Sequence, residues 1–175
     1  PLKFWNDKND TKFKKAYFNK FKNIWHHGDF AKITNKKGFI IVGRSDTTLN
    51  PGGVRLGTAE IYSEIEKFKE IKESLVVGQS WDNDIRIILF VILDAKSELT
   101  EDLLKRMRLM IRKNASPRHV PHKIIQVQDI PRTKSGKIVE LAVKNTIEGN
   151  KIKNKEALAN PLSLKQYSNI KELQY

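Results

Sequence analysis

Between Gly43 and Gly57 the chain places four of its nine glycines together with Asn50 and Pro51, and neither a helix nor a strand runs through a segment so composed. This cassette, Gly43-Arg44-Ser45-Asp46-Thr47-Thr48-Leu49-Asn50-Pro51-Gly52-Gly53-Val54-Arg55-Leu56-Gly57, followed by Glu60-Ile61, is therefore an irregular loop that divides the sequence into two parts. Ahead of it, residues 1–30 interleave Trp5, Phe13, Tyr17, Phe18, Phe21, Trp25 and Phe30 with lysines, which reads as a half-buried helix and turn. Phe30 to Gly43 then reads as two strands around the turn Asn35-Lys36-Lys37-Gly38.

Beyond the loop the pattern is regular. Thr58 is a candidate helix cap, Glu60 and Glu64 suit the positive end of the dipole, and Ile61, Ile65 and Phe68 share one face. Ile71 to Val77 and Ile85 to Leu93 read as an antiparallel pair of strands joined by the polar turn Trp81-Asp82-Asn83-Asp84. Thr100-Glu101-Asp102 opens an amphipathic helix that runs to Asn114 with a cationic face. Lys123 to Ile130 reads as a strand and Ile138 to Ile147 as a helix. The order αββαβα predicts an α+β fold, a small sheet made of an antiparallel pair plus a further strand, covered by helices and preceded by a hairpin remnant of a larger N-terminal domain. After Gly149 the chain turns lysine-rich and closes with Leu158, Pro161, Leu162 and Leu164, which predict one short helix docked onto something else. No internal repeat or low-complexity segment is visible.

The 175 residues are enough for one domain with a real core and a small appendage. A formal charge of +13 favours an anionic partner: nucleic acid, an anionic membrane or a polyphosphate ligand. Without cysteine, disulfides and thiolate metal sites are excluded, and the content fits a reducing compartment. The longest apolar run, Ile85 to Leu93, contains Arg86 and is far below the roughly 20 residues of a membrane span. Pro1-Leu2-Lys3-Phe4-Trp5-Asn6-Asp7 is neither a secretory signal nor a transit peptide and lacks an initiator Met, so a piece of a longer protein is expected, ahead of the alternative that a tag has been removed.

The second loop of interest is Pro131-Arg132-Thr133-Lys134-Ser135-Gly136-Lys137-Ile138, where Gly136 permits a tight turn that presents the Lys137 ammonium. Alone, Ser-Gly-Lys is an ordinary basic surface turn. Two such cassettes in this order point to phosphate or carboxylate chemistry.

Together with Trp25-His26-His27-Gly28-Asp29-Phe30, these cassettes resemble the C-terminal portion of acyl-adenylate-forming acyl-CoA synthetases, and the resemblance covers nearly the whole chain. Phe4-Trp5-Asn6-Asp7, Ala16-Tyr17-Phe18 and Asn160-Pro161 favour, within the family, the branch that acts on acetoacetate, with acetate or another short-chain acid as the alternative. The resemblance implies that a carboxylate attacks the α-phosphate of ATP to give an acyl-AMP, that the thiol of coenzyme A then displaces AMP, and that the smaller domain rotates between the two steps. By the same resemblance Lys137 is the adenylation lysine, and Asp29 accepts hydrogen bonds from the ribose hydroxyls of AMP. Arg44 and Arg55 reach the nucleotide and Asp46 is the hinge. Gly52 and Gly53 line the path of pantetheine, and Arg112 meets the 3′-phosphate of coenzyme A. Lys134 and Arg132 are read as solvated neighbours. His27 stands where many members carry threonine. Apart from the resemblance, His26-His27 reads as a pair of surface histidines rather than metal ligands, since no third ligand has suitable spacing.

The implied organisation is a remnant of the large nucleotide-binding domain over 1–45, a mobile C-terminal domain over 46–150 and an extension over 151–175. ATP, with Mg²⁺ bound mainly by the absent domain, and coenzyme A are the expected co-substrates. The expected partners are small molecules and the missing N-terminal domain, with no metal, nucleic acid or membrane, in the cytoplasm. A Ser/Thr/Gly-rich phosphate loop is absent from the sequence, so the isolated chain is expected to be inactive. Two competing readings are a basic nucleic-acid-binding module, for which no reading motif is present, and a noncatalytic regulatory fragment.

Overall fold

The computed structural model describes residues 2–152 and 154–174, with only the backbone at Val42; Pro1, Lys153 and Tyr175 lie outside the described residues. Its centre is strand Asp84–Leu93, whose run of branched side chains is buried on both faces. In chain order the strands are β1 (Asp29–Ile33), β2 (Phe39–Arg44), β3 (Ile71–Trp81), β4 (Asp84–Leu93) and β5 (Lys123–Gln126). The helices are α1 (Thr11–Tyr17), α2 (Thr58–Ile65), α3 (Glu101–Asn114) and α4 (Glu140–Ile147). β3, β4 and β5 form one sheet in that order, with β3 antiparallel and β5 parallel to β4, while β1 and β2 form a separate antiparallel pair.

Alternation along β4 builds two cores. Ile87, Leu89, Val91 and Leu93 join Ile61, Ile65, Leu103, Met107 and Ile111 beneath α2 and α3. Ile88 and Phe90 point the other way, to Leu75, Val77, Ala142 and Val143 under α4. The α+β architecture and the antiparallel pair plus a further strand agree with the sequence reading, whereas several boundaries differ for identifiable reasons. β3 continues to Trp81 and β4 begins at Asp84, because Asp82 and Asn83 both take left-handed angles (φ 48° and 58°) and a two-residue turn suffices. Gly57, not Thr58, is the cap position of α2; Thr58 is the first helical residue and is buried. Thr100 caps α3 as expected, its Oγ1 accepting from the Leu103 N–H at 3.2 Å. β5 ends at Gln126 rather than Ile130, and α4 begins at Glu140 rather than Ile138, because Ile138 is bridged to Arg132 across the lysine-bearing loop.

The last stretch is not one helix. It is three 3-10 turns, Lys155–Ala157, Pro161–Tyr167 and Lys171–Leu173, and these dock on the chain's own sheet. Leu158, Leu164, Tyr167 and Leu173 are all buried against the face that carries Phe90, whose ring meets that of Tyr167 edge-on at 4.9 Å. Arg86, the one charge inside the apolar run, is buried here too. It donates to Gln79 Oε1 at 2.8 Å and to the Leu173 carbonyl at 3.0 Å, and its guanidinium lies 3.4 Å from the centre of the Trp81 ring.

At the other end, α1 rests in an aromatic cluster of Phe4, Phe13, Tyr17, Phe18 and Trp25, with Tyr17 and Trp25 stacked at 3.9 Å. The β1–β2 hairpin leaves apolar side chains in the open, Phe39 at 71% and Ile41 at 58% exposure.

Candidate active site

Three of the residues singled out in the sequence meet at the junction between the hairpin and the irregular loop. Strand pairing sets Asp29, the first residue of β1, opposite Arg44, the last of β2. Arg44 reaches Asp29 Oδ1 with Nη1 at 3.6 Å and grips Asp46 with Nε and Nη2, both at 3.2 Å. The hydrogen bond that Arg44 donates to Asp46, together with the charges of both carboxylates, raises the Arg44 pKa further and keeps the cation permanent. His27 Nδ1 lies 2.5 Å from Asp29 Oδ2, so the second histidine of the pair is a partner of the carboxylate. Gly28 sits at φ +90°, a conformation that strains any side chain. Its carbonyl accepts from the Ser45 N–H at 2.8 Å. Arg55 stacks its guanidinium 4.6 Å from the ring centre of Phe30, the neighbour of Asp29. A partly exposed carboxylate at a strand end, with Arg44 beside it and Arg55 near, can accept from vicinal hydroxyls while guanidinium groups meet phosphate oxygens.

Asp46 opens a short segment tied to α4. Thr47 hydrogen-bonds Glu140, and Tyr62 donates to Glu140 Oε1 at 2.5 Å. Burial pushes the Glu140 carboxyl above its ordinary range, with the two hydroxyl bonds opposing that rise. A cleft of about 210 Å³ remains there, bounded by Asp46, Thr48, Val77, Glu140 and Lys144.

Gly52 and Gly53 form a separate group. They occupy the 3-10 turn Pro51–Gly53 with φ of 57° and 75°, and the Gly52 N–H donates to both oxygens of Asp84 at 2.8 and 2.9 Å. A Cβ at Gly53 would meet nothing within 4 Å, so within this chain the backbone conformation rather than crowding calls for glycine. A Cβ at Gly52 would stand 3.5 Å from an Arg118 nitrogen. Arg118, which sequence reasoning passed over, is thus the cation beside the glycine turn, while Arg112 is exposed in the last turn of α3.

Lys137 lies apart from both groups. It is exposed at the end of a turn in which the Thr133 N–H donates to the Lys137 carbonyl at 2.8 Å and the Gly136 N–H to the Thr133 carbonyl at 2.8 Å, with Gly136 at φ +82°. Among the described residues no ion pair holds its ammonium, and no hydrogen bond joins its loop to the Asp29 or Gly52 groups. Lys134 is exposed, but Arg132 is no solvated neighbour. Its guanidinium is half-buried, donating to the Gly136 carbonyl at 2.9 Å and to Glu73 Oε2 at 2.6 Å, and so braces the turn from beneath. Beside it an open groove of about 550 Å³ runs between α2 and the free edge of β3, from Tyr62 to Arg132 and Ile138.

The architecture and these loops define a class. Residues 60–137 match the AMP-binding enzyme C-terminal domain. More narrowly, the chain is 56% identical over 99% of its length to an acetoacetyl-coenzyme A synthetase of Rhizobium meliloti (strain 1021), and 51% identical over 99% to that of Xenopus tropicalis. It covers 27% and 26% of those proteins, so the chain spans about a quarter of the length of the curated relatives it matches. Among solved structures, acetoacetyl-CoA synthetase from Streptomyces lividans superposes with a TM-score of 0.87 at 38% identity, covering 95% of this chain and 25% of that one. Among the described residues no helix is long and apolar enough to cross a membrane.

Proposed function

We propose that the chain is the C-terminal part of an ATP-dependent acetoacetate–CoA ligase, and that it supplies the lysine of the first half-reaction and part of the coenzyme A path of the second. In the first, a carboxylate oxygen attacks the α-phosphorus, the bond to the bridging oxygen breaks, and pyrophosphate leaves with the electron pair. In the second, the thiolate sulfur of coenzyme A attacks the acyl carbon and AMP departs. Lys137 contributes fixed positive charge to the carboxylate and α-phosphate as charge shifts between them, an effect of about 3–4 kcal/mol for one well-placed donor. Asp29 accepts from the ribose hydroxyls, Arg44 and Arg55 neutralise phosphate, and Arg112 meets the 3′-phosphate of coenzyme A. Gly52 and Gly53 let pantetheine pass close to backbone. The Mg²⁺ that accompanies ATP is held mainly by parts of the enzyme outside this chain. On this reading residues 1–45 belong with the large nucleotide-binding domain, 46–150 form the lobe that swings about Asp46, and 151–175 extend it. The substrates are small molecules rather than nucleic acid or membrane, and the enzyme works in the cytoplasm.

The reading rests on the presentation of Lys137, a cation without an ion-pair partner among the described residues, at the exposed end of a braced turn in a stretch that matches the AMP-binding enzyme C-terminal domain. The bare apolar side chains of the β1–β2 hairpin support it further, since they require a covering partner such as the large domain.

In the full-length enzyme, Lys137→Ala is expected to lower acetoacetate-dependent ATP–pyrophosphate exchange by roughly 10²–10³-fold. Thioester formation from preformed acetoacetyl-AMP should stay near its parent rate. Equal loss in both assays sinks the assigned role, and faster turnover with acetate than with acetoacetate moves the enzyme to the alternative substrate.

A further inference from the structure

The loop that carries Lys137 joins the inner and middle segments of a small three-stranded arrangement, and the outer segment comes from beyond residues 60–137. On the inner side, Arg132 is bridged to Ile138, the Thr133 N–H donates to the Lys137 carbonyl, and the Val139 N–H donates to the Pro131 carbonyl at 3.0 Å. On the outer side, Thr133 is bridged to Leu158, the Ala159 N–H donates to the Arg132 carbonyl at 2.8 Å, and the Lys134 N–H donates to the Ala157 carbonyl at 3.2 Å. Pro131, which has no N–H, faces the inner side, where its carbonyl serves Val139. On the outer side the Arg132 N–H is taken by the side chain of Asn160. Its Oδ1 accepts from the Arg132 N–H at 2.8 Å, and its Nδ2 donates to the Ile130 carbonyl at 2.9 Å and to Asp129 Oδ2 at 2.7 Å. One carboxamide thus acts as a peptide group, bonding the backbone on both sides of the proline. Ser163 fixes the Asn160 backbone in turn, its hydroxyl donating to the Asn160 carbonyl at 2.7 Å.

This geometry sets how Lys137 is aimed. No acidic partner steers the ammonium among the described residues, so the direction of the long side chain follows from the backbone of its turn. That backbone is hydrogen-bonded to Thr133, whose strand is held in place by residues 157–160. We propose that Asn160 is a positioning residue for the Lys137 loop, so that the segment after the 60–137 domain tunes the adenylation step without touching the nucleotide. The inference rests on the role of Lys137 proposed above.

The test is made in the full-length enzyme with Asn160→Ala, Lys137→Ala and the double variant, reading ATP–pyrophosphate exchange, thioester formation from preformed acetoacetyl-AMP, and thermal unfolding. Asn160→Ala is expected to cut exchange about tenfold through kcat, with KM for ATP and the thioester-forming rate within about threefold of the parent. In the Lys137→Ala background it should cost nothing more, because a residue that acts only by aiming an ammonium has no further effect once the ammonium is gone. Asn160→Asp keeps the acceptor for Arg132 and loses both donors. It is expected to shift exchange in the same direction, and it carries the test if the alanine variant does not fold.

Equal losses in the two half-reactions, or a full tenfold loss added to that of Lys137→Ala, would overturn the inference in favour of general destabilisation. Exchange crippled by Lys137→Ala but untouched by either Asn160 variant overturns it while leaving the role of Lys137 intact. Exchange untouched by Lys137→Ala overturns both.

Discussion

Arg132 and Lys134 stand two apart in one loop with the same charge, yet they end in different states. The guanidinium finds a planar carboxylate in Glu73 and a carbonyl in Gly136, which suits its forked donors, while the ammonium stays in solvent. Residue type alone does not separate them; the decisive neighbour, Glu73, lies 59 positions away. Asp84 offers a similar case. It was legible only as a turn residue, but its carboxylate holds the Gly52 N–H with both oxygens, and the N–H groups of Ile85 and then Gly52 keep its pKa below the ordinary range. If the glycine turn lines the coenzyme A path, Asp84→Ala should slow thioester formation from acetoacetyl-AMP several-fold and leave pyrophosphate exchange unchanged. A parallel fall in exchange would show that the turn has no special place in the second half-reaction.

At the level of elements, the β3–β4 pair and the capped helix α3 were readable because their signals are local: a doubly buried strand is a run of branched residues, and a capped helix carries its cap beside it. The Asp29, Arg44 and Asp46 group was readable as separate residues through likeness to a family, and the strand register that joins them emerged only with the fold. The tail was not readable. Its short 3-10 turns have no 3.6-residue rhythm, and the work of Asn160 depends on Arg132, 28 residues earlier. Gly78 is an element-level constraint of another kind. A Cβ there would stand 2.7 Å from Ile85 Cγ2 and 3.2 Å from Leu49 Cδ2, because the irregular loop presses its one fully buried leucine onto the β3–β4 pair. Gly78→Ala is expected to lower stability by about 1–3 kcal/mol, seen as a lower denaturant midpoint with the slope unchanged. An unchanged midpoint would mean that Leu49 and Ile85 yield freely.

For the whole molecule, one sheet divides two cores, and the second is closed by residues that follow the family domain. Leu158, Leu164, Tyr167 and Leu173 each contribute about 1.5–3 kcal/mol of burial, so together they approach the roughly 5–15 kcal/mol that stabilises a typical domain. Removing residues 150–175 should therefore abolish cooperative unfolding of the lobe and expose the β3–β4 hairpin to limited proteolysis. A truncated protein that still melts in one sharp transition would contradict this account.

The tie between Arg86 and the Leu173 carbonyl spans 87 positions, and a ribosome adds residues from the N-terminus at roughly 5–20 per second. The central strand accordingly emerges on the order of ten seconds before the Leu173 carbonyl joins Gln79 as an acceptor for its buried cation. During the last part of that interval α4 covers the face of Phe90 in part, and the side that Leu158, Leu164, Tyr167 and Leu173 close stays open to neighbouring chains until the end of synthesis.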